Sequence, residues 1–427
     1  MFKENLLSRR GFIAWGAGAL VALANSRVLG ETMSSRSTTL ILGGGFGGIA
    51  AARHLRRILP DRHEITLVSK SRTFQVGATK TWVMLGEVDP AAVAHPLDTL
   101  GAHGIKVVYS EVEGIDLENM QVKTTDGALK SDFLVIALGA ELTLASVPGL
   151  GSAAETFYTR GGAIRLQETL RRFDGGRIIL LIPRIPFQCP PGPYEAIMLL
   201  HSHLGDRGLR AKSPLDVFTV EKAPMATAGP EIGRYIVERL KERNIGFHPQ
   251  CQVDRVDGEK KEVVMSDGSR VAYDLLIAIP PHVAPRAVRD SGLTNQAGWI
   301  QVNPGTLEVA ESPVPGRVFA VGDVTSLPLP GRFVPDMPLV LPKAGIFAER
   351  QGAVVARQIA SRLNGNEPVE KFDGTGFCYI ELGGGLAMRG DGNFFQMPHP
   401  SMSPREPSAA QLTDKKAWIN DWISTYL

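Results

Sequence analysis

The sequence predicts an α/β fold of two Rossmann-like dinucleotide-binding domains followed by a small C-terminal α+β piece. Three observations carry this expectation. A short apolar run breaks on glycines at GxGxxG spacing and continues as a helical pattern. An Asp-Gly hairpin that leads into a buried strand occurs twice, and a Gly-rich hairpin and an amphipathic helix come last.

The first of these is the stretch 38–74, TTLILGGGFGGIAAARHLRRILPDRHEITLVSKSRTF. Leu40, Ile41 and Leu42 read as a buried parallel strand, Gly43, Gly45 and Gly48 as a tight turn enclosing Phe46, and Ile65–Val68 as a second strand. Strand, turn, helix and strand make the βαβ unit that holds the pyrophosphate of a dinucleotide against a helix N-terminus. Glycine is required there because a side chain would keep the backbone amides away from the phosphates.

At 427 residues the chain is long enough for two or three domains, and 44% hydrophobic with 21% charged residues suits a globular protein with a sizeable core. Setting aside Lys3, Glu4, Arg9 and Arg10 leaves 43 basic against 43 acidic residues. No basic stripe remains, which argues against nucleic acid as a partner.

Ser8-Arg9-Arg10-Gly11-Phe12 precedes an apolar stretch from Ile13 to Ala24, with small residues at Ala22-Leu23-Ala24. Twin arginines before a short hydrophobic region read as a twin-arginine export signal; the alternative is an N-terminal helix with two chance arginines. No other apolar run approaches the ~18 residues that span a bilayer. The expectation is a periplasmic protein, or one on the outer face of the cytoplasmic membrane. Export of folded chains suits an enzyme that binds its cofactor first. Three cysteines in an exported chain cannot all pair with one another.

After a polar linker (residues 26–37), the βαβ unit leads to the first hairpin. Met120–Lys123 turns at Asp126-Gly127 and is expected to return through Phe133–Ala137 to Gly139. The order recurs with the strand Ile178–Ile182, the amphipathic helix Glu231–Arg243, and Val263–Met265 turning at Asp267-Gly268 into Leu275–Ile279. This second domain has Pro183-Arg184-Ile185-Pro186-Phe187 where a nucleotide site would need GxGxxG. Proline supplies no amide donor and arginine adds bulk, so the shape is expected without the dinucleotide. A buried strand ending in Gly322-Asp323, a helix over Gly345–Leu363, a hairpin over Cys378–Gly392, a Pro/Ser-rich linker (398–408) and a final helix complete the chain.

In this order the residues resemble the flavoprotein disulfide-reductase superfamily, and most of all the sulfide:quinone oxidoreductases and the flavoprotein subunit of flavocytochrome c sulfide dehydrogenase. The carriers are Gly43–Gly48, Ile65–Ser69, Trp82-Val83, Asp132–Gly139 (DFLVIALG), Cys189–Glu195 (CPPGPYE), Ile279-Pro280-Pro281, Phe319–Asp323, Pro342–Gly345 and Phe377-Cys378-Tyr379. The resemblance implies FAD as cofactor, with 38–145 and 281–365 forming its domain. Residues 146–280 would be the second Rossmann-like domain without a nucleotide fingerprint, and 366–427 a C-terminal region carrying a redox cysteine. It also implies that Asp323 bonds a ribityl hydroxyl of FAD and that Lys343 stabilises negative charge on the reduced ring; the plain alternatives are a helix N-cap and a surface lysine. Ser69 stands where the general fingerprint has Asp or Glu for the ribose, as it does in the quinone-linked branch, which weakens an NAD reading.

The resemblance further implies that Cys189 and Cys378 meet as a redox disulfide which sulfide attacks, two electrons passing on to the flavin. Each alone also fits a small buried hydrophobe, and Cys251 reads as structural. Glu195 is a proton-acceptor candidate or simply a carboxylate in a helix first turn. Two departures stand out. Leu142–Asp174 lacks the third cysteine of quinone-linked relatives, which speaks against growth of a sulfur chain. Arg72–Thr81 lacks the cysteine that binds FAD covalently in the flavocytochromes, so FAD should be non-covalent. No histidine pair has metal-ligand spacing: a helical reading of Ala196–Leu204 separates His201 from His203.

Trp418, Ile419, Trp422, Ile423, Tyr426 and Leu427 make one apolar helix face. That face fits peripheral membrane contact bringing a quinone site to the lipid surface, or packing on the protein's own core or on a dimer mate. The leading expectation is an exported FAD enzyme oxidising sulfide, or a related sulfur species, through Cys189/Cys378 with quinone as acceptor. A c-type cytochrome acceptor, an NADH-oxidising flavoprotein and a flavin-binding protein without turnover are the alternatives.

Overall fold

The computed structural model describes residues 37–427; the twin-arginine reading falls on residues 1–36 and lies outside the described residues. The chain opens with β1 (Thr38–Leu42), α1 (Phe46–Ile58) and β2 (Glu64–Ser69), and after α2 (Lys80–Leu85) it adds β3 (Lys106–Tyr109). A ribbon follows, β4 (Val112–Asp116), β5 (Gln121–Thr124) and β6 (Gly127–Lys130), and then β7 (Phe133–Ile136). Beyond α3 (Arg160–Arg172) come β8 (Ile178–Ile182), α4 (Gly192–Asp206), β9 (Leu215–Thr219), α5 (Pro230–Glu242) and β10 (Ile245–His248). A second ribbon, β11 (Val253–Asp257), β12 (Glu262–Met265) and β13 (Arg270–Ala272), precedes β14 (Leu275–Ala278). The last part holds β15 (Val318–Ala320), α6 (Gly345–Leu363), β16 (Thr375–Gly383), β17 (Leu386–Asn393), β18 (Ser401–Pro404) and α7 (Ala409–Tyr426).

Two parallel sheets organise these elements. The first has the order β15-β7-β1-β2-β3 and the second β10-β9-β8-β14. Strands buried on both faces need continuous apolar runs, and β7, β8 and β14 have every residue buried. Around the first sheet the core draws on residues 40–137 and again on 284–426; around the second it draws chiefly on residues 157–279. The chain therefore leaves the first core, builds the second, and returns.

The two Asp-Gly hairpins differ from expectation in their return limbs. The partner of β5 is β6, with Thr124 opposite Gly127, rather than the run beginning at Phe133. The partner of β12 is likewise β13. Three of the four β6 residues are exposed, as a surface ribbon tolerates. Phe133–Ile136 is entirely apolar and is instead buried between β1 and β15.

Of the two readings of the C-terminal helix, the structure shows the packing on the protein's own core. Ile419, Trp422 and Tyr426 are buried in the first core, and Trp418, Ile423 and Leu427 pack against it. Trp422 lies 4.7 Å from Phe46 and 4.6 Å from Phe74 between ring centroids. The apolar face is thus covered by the protein itself, because a wide aromatic surface beside the glycine turn needs a lid. Among the described residues no helix is long and apolar enough to cross a membrane.

Candidate active site

The glycine turn between β1 and α1 is shaped for a phosphate group. Gly43 has φ +113°, and a Cβ there would lie 2.2 Å from the Ala137 carbonyl oxygen; one on Gly48 would lie 1.9 Å from the Gly43 carbonyl oxygen. Neither position admits a side chain. A Cβ on Gly45, at the mouth of the turn, would instead meet nothing within 4 Å. The mouth of the turn, at the start of α1, is therefore open, as a pyrophosphate seated on a helix N-terminus requires. Ser69 ends β2 beside this turn, its hydroxyl donating to the Ser71 carbonyl at 2.9 Å. Gly139, just after β7, has φ +68° and open space beside it. A dinucleotide fits this cradle.

Next to the cradle is a cleft of about 880 Å³ including its mouth, lined among others by Phe46, Lys80, Cys189, Glu195, Cys378 and Lys415. Cys189 and Cys378, far apart in sequence, thus line one cavity. Cys251 is not among its residues; its Sγ lies 3.6 Å from the Pro249 carbonyl oxygen, at the edge of the third apolar cluster.

Cys189 sits in the loop between β8 and α4 with φ +57°. Its N–H donates to the Lys343 carbonyl at 2.7 Å and its carbonyl accepts from Gly192 at 2.8 Å, so both ends of the residue are fixed. The thiol is open to the cleft yet ringed by protein. Burial, then the proximity of Cys378 and Glu195, pushes its pKa up. Burial, with Glu195 nearby, pushes Cys378 up to about 12. Both shifts favour the neutral thiol in the reduced protein. All three cysteines are free thiols in this structure.

Gln188 connects Cys189 to the strand end that carries Asp323. Its side-chain amide donates to the Asp323 carboxylate at 2.7 Å, its carbonyl accepts from the Tyr158 hydroxyl at 2.9 Å, and its N–H donates to His282 Nε2 at 3.2 Å. His282 Nδ1 donates to the Pro280 carbonyl at 2.7 Å, which assigns the tautomer and leaves Nε2 as the acceptor. Burial pushes His282 down to about 4, consistent with a neutral ring.

Asp323 is buried and caps no helix with its side chain. Burial raises its pKa, against the pull of Lys343. Gly322, one residue before it, donates to Gln351 Oε1 at 2.7 Å. Lys343 is not a surface lysine: it is 7% exposed, donates to the carbonyls of Asp323 at 2.5 Å and Thr325 at 3.2 Å, and lies 3.4 Å over the Trp299 ring. Burial pushes it down to about 8, opposed by Asp323. Its ammonium is thus held at the Asp323 strand end rather than free to reach outwards.

Glu195 lies in the first turn of α4, and its carboxylate makes a buried ion pair. Lys415 of α7 donates to both of its oxygens at 3.0 Å and to Glu381 of β16 at 2.6 Å. The Glu381 N–H donates to Glu195 Oε2 at 3.0 Å, and Trp82 Nε1 donates to Glu381 at 2.7 Å. Burial works against the Lys415 charge, but the two carboxylates outweigh it and hold its pKa above the ordinary value. Glu195 is pushed up by burial, against Lys415. Two carboxylates share one ammonium, which gives Glu195 the capacity to hold a proton.

Sequence reasoning missed Lys80, Gln188, His282, Glu381 and Lys415. Lys80 lines the cleft and donates to the Tyr158 carbonyl at 2.7 Å; burial lowers its pKa, while Cys189 and Asp323 raise it. Gln188 and His282 adjoin motifs already singled out, CPPGPYE and Ile279-Pro280-Pro281, but only their contacts reveal a role. His201 and His203 do fall on a helix, and His201 Nδ1 accepts from Arg210 at 2.8 Å.

The family model of the pyridine nucleotide-disulphide oxidoreductases matches residues 37–177 and 207–352. The mitochondrial sulfide:quinone oxidoreductase of Mus musculus is 23% identical over 374 residues, covering 82% of this chain and 77% of that protein. The sulfide-quinone reductase of Aquifex aeolicus is 28% identical over 378 residues, covering 86% and 84%. The X-ray structure of the sulfide:quinone oxidoreductase from Aquifex aeolicus superposes with a TM-score of 0.80 at 25% identity, covering 90% of each chain.

Proposed function

The chain belongs to the pyridine nucleotide-disulphide oxidoreductase family, and from that premise we propose that it is an FAD-dependent oxidoreductase that oxidises sulfide, or a related sulfur species, through Cys189 and Cys378 and delivers the electrons to a quinone. The observation that carries the reading is the convergence of these two cysteines on one cleft beside the glycine cradle. Export by the twin arginines at Arg9 and Arg10, and work outside the cytoplasmic membrane, belong to the same proposal. The sulfide-oxidising relatives it matches are named for quinone, so quinone is preferred to a cytochrome.

Gly43, Gly45, Phe46, Gly48, Ser69, Gly139, Gly322 and Asp323 would hold FAD without a covalent bond, Lys343 bracing the Asp323 strand end. When bound, FAD supplies the two-electron acceptor beside the thiols. Oxidation of hydrogen sulfide to the zero-valent level releases two electrons and two protons. With the cysteines joined, attack by the hydrosulfide anion breaks their S–S bond and forms another, leaving a persulfide on one cysteine and a thiolate on its partner. Lys80 would stabilise that negative charge from across the cleft, and Glu195 would take up a released proton. The backbone bonds at both ends of Cys189 would hold its Cβ in place beside the cleft.

The test is an anaerobic sulfide titration of the purified flavoprotein, followed at the flavin absorbance band, with quinone or cytochrome c added afterwards. Wild type should bleach with sulfide and recover with quinone; Cys189→Ser and Cys378→Ser should each lose bleaching by at least 100-fold in rate. If both variants bleach like wild type, the cysteine pair is not the route.

A further inference from the structure

The C-terminal helix α7 contributes one charged side chain to the interior. Lys415 is 1% exposed, and among the described residues it is the only lysine in the cleft that contacts two carboxylates. Those carboxylates belong to β16, which carries Cys378, and to α4, which the Cys189 loop opens. Glu195 lies in the first turn of α4, the helix that the Cys189 loop opens, and the backbone between them is locked: Gly192 donates to the Cys189 carbonyl and Glu195 to the Pro191 carbonyl at 2.9 Å. Two prolines, Pro190 and Pro191, stiffen the same link. Glu381 lies on β16 three residues after Cys378, with both positions in continuous register against β17.

We propose that Lys415 is a positioning residue for the Cys189–Cys378 pair, tying the helix that Cys189 opens to the strand that carries Cys378. This rests on the reading of the two cysteines as a redox pair. Disulfide geometry tolerates little error, so whatever fixes the distance between α4 and β16 fixes how readily the pair closes. One direct bond, from the Glu381 N–H to Glu195, already crosses that gap. By itself it would bring two carboxylates together in a low-dielectric interior, where they repel. The Lys415 ammonium turns that repulsion into a clamp. Trp82, donating to Glu381 with its ring 5.5 Å from the Lys415 ammonium, closes the cluster on its remaining side. Breaking a buried pair by removing one partner leaves an uncompensated charge and is costly. Loss of Lys415 should therefore move α4 and β16 apart instead of leaving them as they are.

The measurement uses the full flavin-loaded protein. It is equilibrated in oxidised and reduced dithiothreitol mixtures, quenched with a maleimide, and the fraction of joined Cys189–Cys378 is read by mass spectrometry, alongside the melting temperature. In Lys415→Met, the equilibrium should shift towards the free thiols by tenfold or more, which is about 30 mV for a two-electron couple. Glu381→Gln, which keeps an acceptor for Trp82 but removes one charge, should shift it in the same direction by at least threefold. The proposal is overturned if Lys415→Met, folded, keeps the wild-type equilibrium within twofold, whatever its melting temperature; should that variant not fold, Glu381→Gln decides by the same twofold limit. If wild type itself never forms the Cys189–Cys378 bond at any ratio, the redox-pair reading is what has failed.

Discussion

Trp422→Ala tests whether α7 is a part of the fold or a membrane contact. The ring is 3% exposed and packs on Phe46, Phe74 and Tyr426, with centroids at 4.7, 4.6 and 4.8 Å. Truncating a tryptophan so enclosed costs about 3–5 kcal/mol, from lost apolar burial and an incompletely collapsed cavity. That is a large share of the roughly 5–15 kcal/mol typical of native stability. Because Phe46 sits in the glycine turn, the damage should also reach the cradle, and the variant should retain less FAD through gel filtration. Urea unfolding with an unchanged m-value gives the energy; the ratio of flavin to protein absorbance gives the retention; liposome co-sedimentation checks the other reading. A loss below about 1 kcal/mol, with normal FAD content and weakened liposome binding, would refute the packing argument and return the helix to the membrane surface.

Two other outcomes are expected. Gly48→Ala places a Cβ 1.9 Å from the Gly43 carbonyl oxygen, which no rotamer relieves, so the turn must open; the protein should purify with little or no flavin, read from its visible spectrum. His282 is held at about 4 against an ordinary 6.5, so the unfolded chain takes up the extra proton between those values. Stability is complete above about pH 6.5 and falls as the pH drops towards 4, by at most about 3 kcal/mol for this one group. His54 and His63 are pushed to about 4 as well, so the test is the difference in acid-dependent urea stability between wild type and His282→Gln, which should have the shallower slope. An equal slope would show that His282 does not resist protonation.

The βαβ unit is legible in the sequence because its demands are local. Leu40–Leu42, the three spaced glycines and Ile65–Val68 each state a physical requirement within a few residues, and the structure meets them in order. The second sheet is legible for the same reason: Ile178–Ile182 and Leu275–Ala278 are apolar enough that only a doubly covered parallel strand suits them. The hairpin return limbs are harder to read because two adjacent segments compete. Gly127–Lys130 (GALK) is too short and too poor in β-branched and aromatic residues to announce itself as a strand, and the stronger signal from Phe133–Ile136 draws the pairing to itself. Periodicity reports how much a strand is buried; it does not name the strand beside it.

The buried lysine shows a different limit. In α7 the buried residues are Lys415, Ile419, Trp422 and Tyr426, at successive spacings of four, three and four, so Lys415 falls on the apolar stripe. A lysine on such a stripe is a signal in itself, since a full charge is buried only when it is paired. Recognising the stripe through Trp418 and its aromatic neighbours obscures the residue that breaks its chemistry. Yet even a correct reading of Lys415 would stop at the need for a carboxylate. Glu195 and Glu381 are chosen by the crossing of α4, β16 and α7, elements contributed by distant parts of the chain, and 44 acidic residues offer themselves. The local sequence states that a charge must be satisfied, and the tertiary fold alone selects its partners. That is why a helix that reads as an appendage carries a group on which the placement of both cysteines depends.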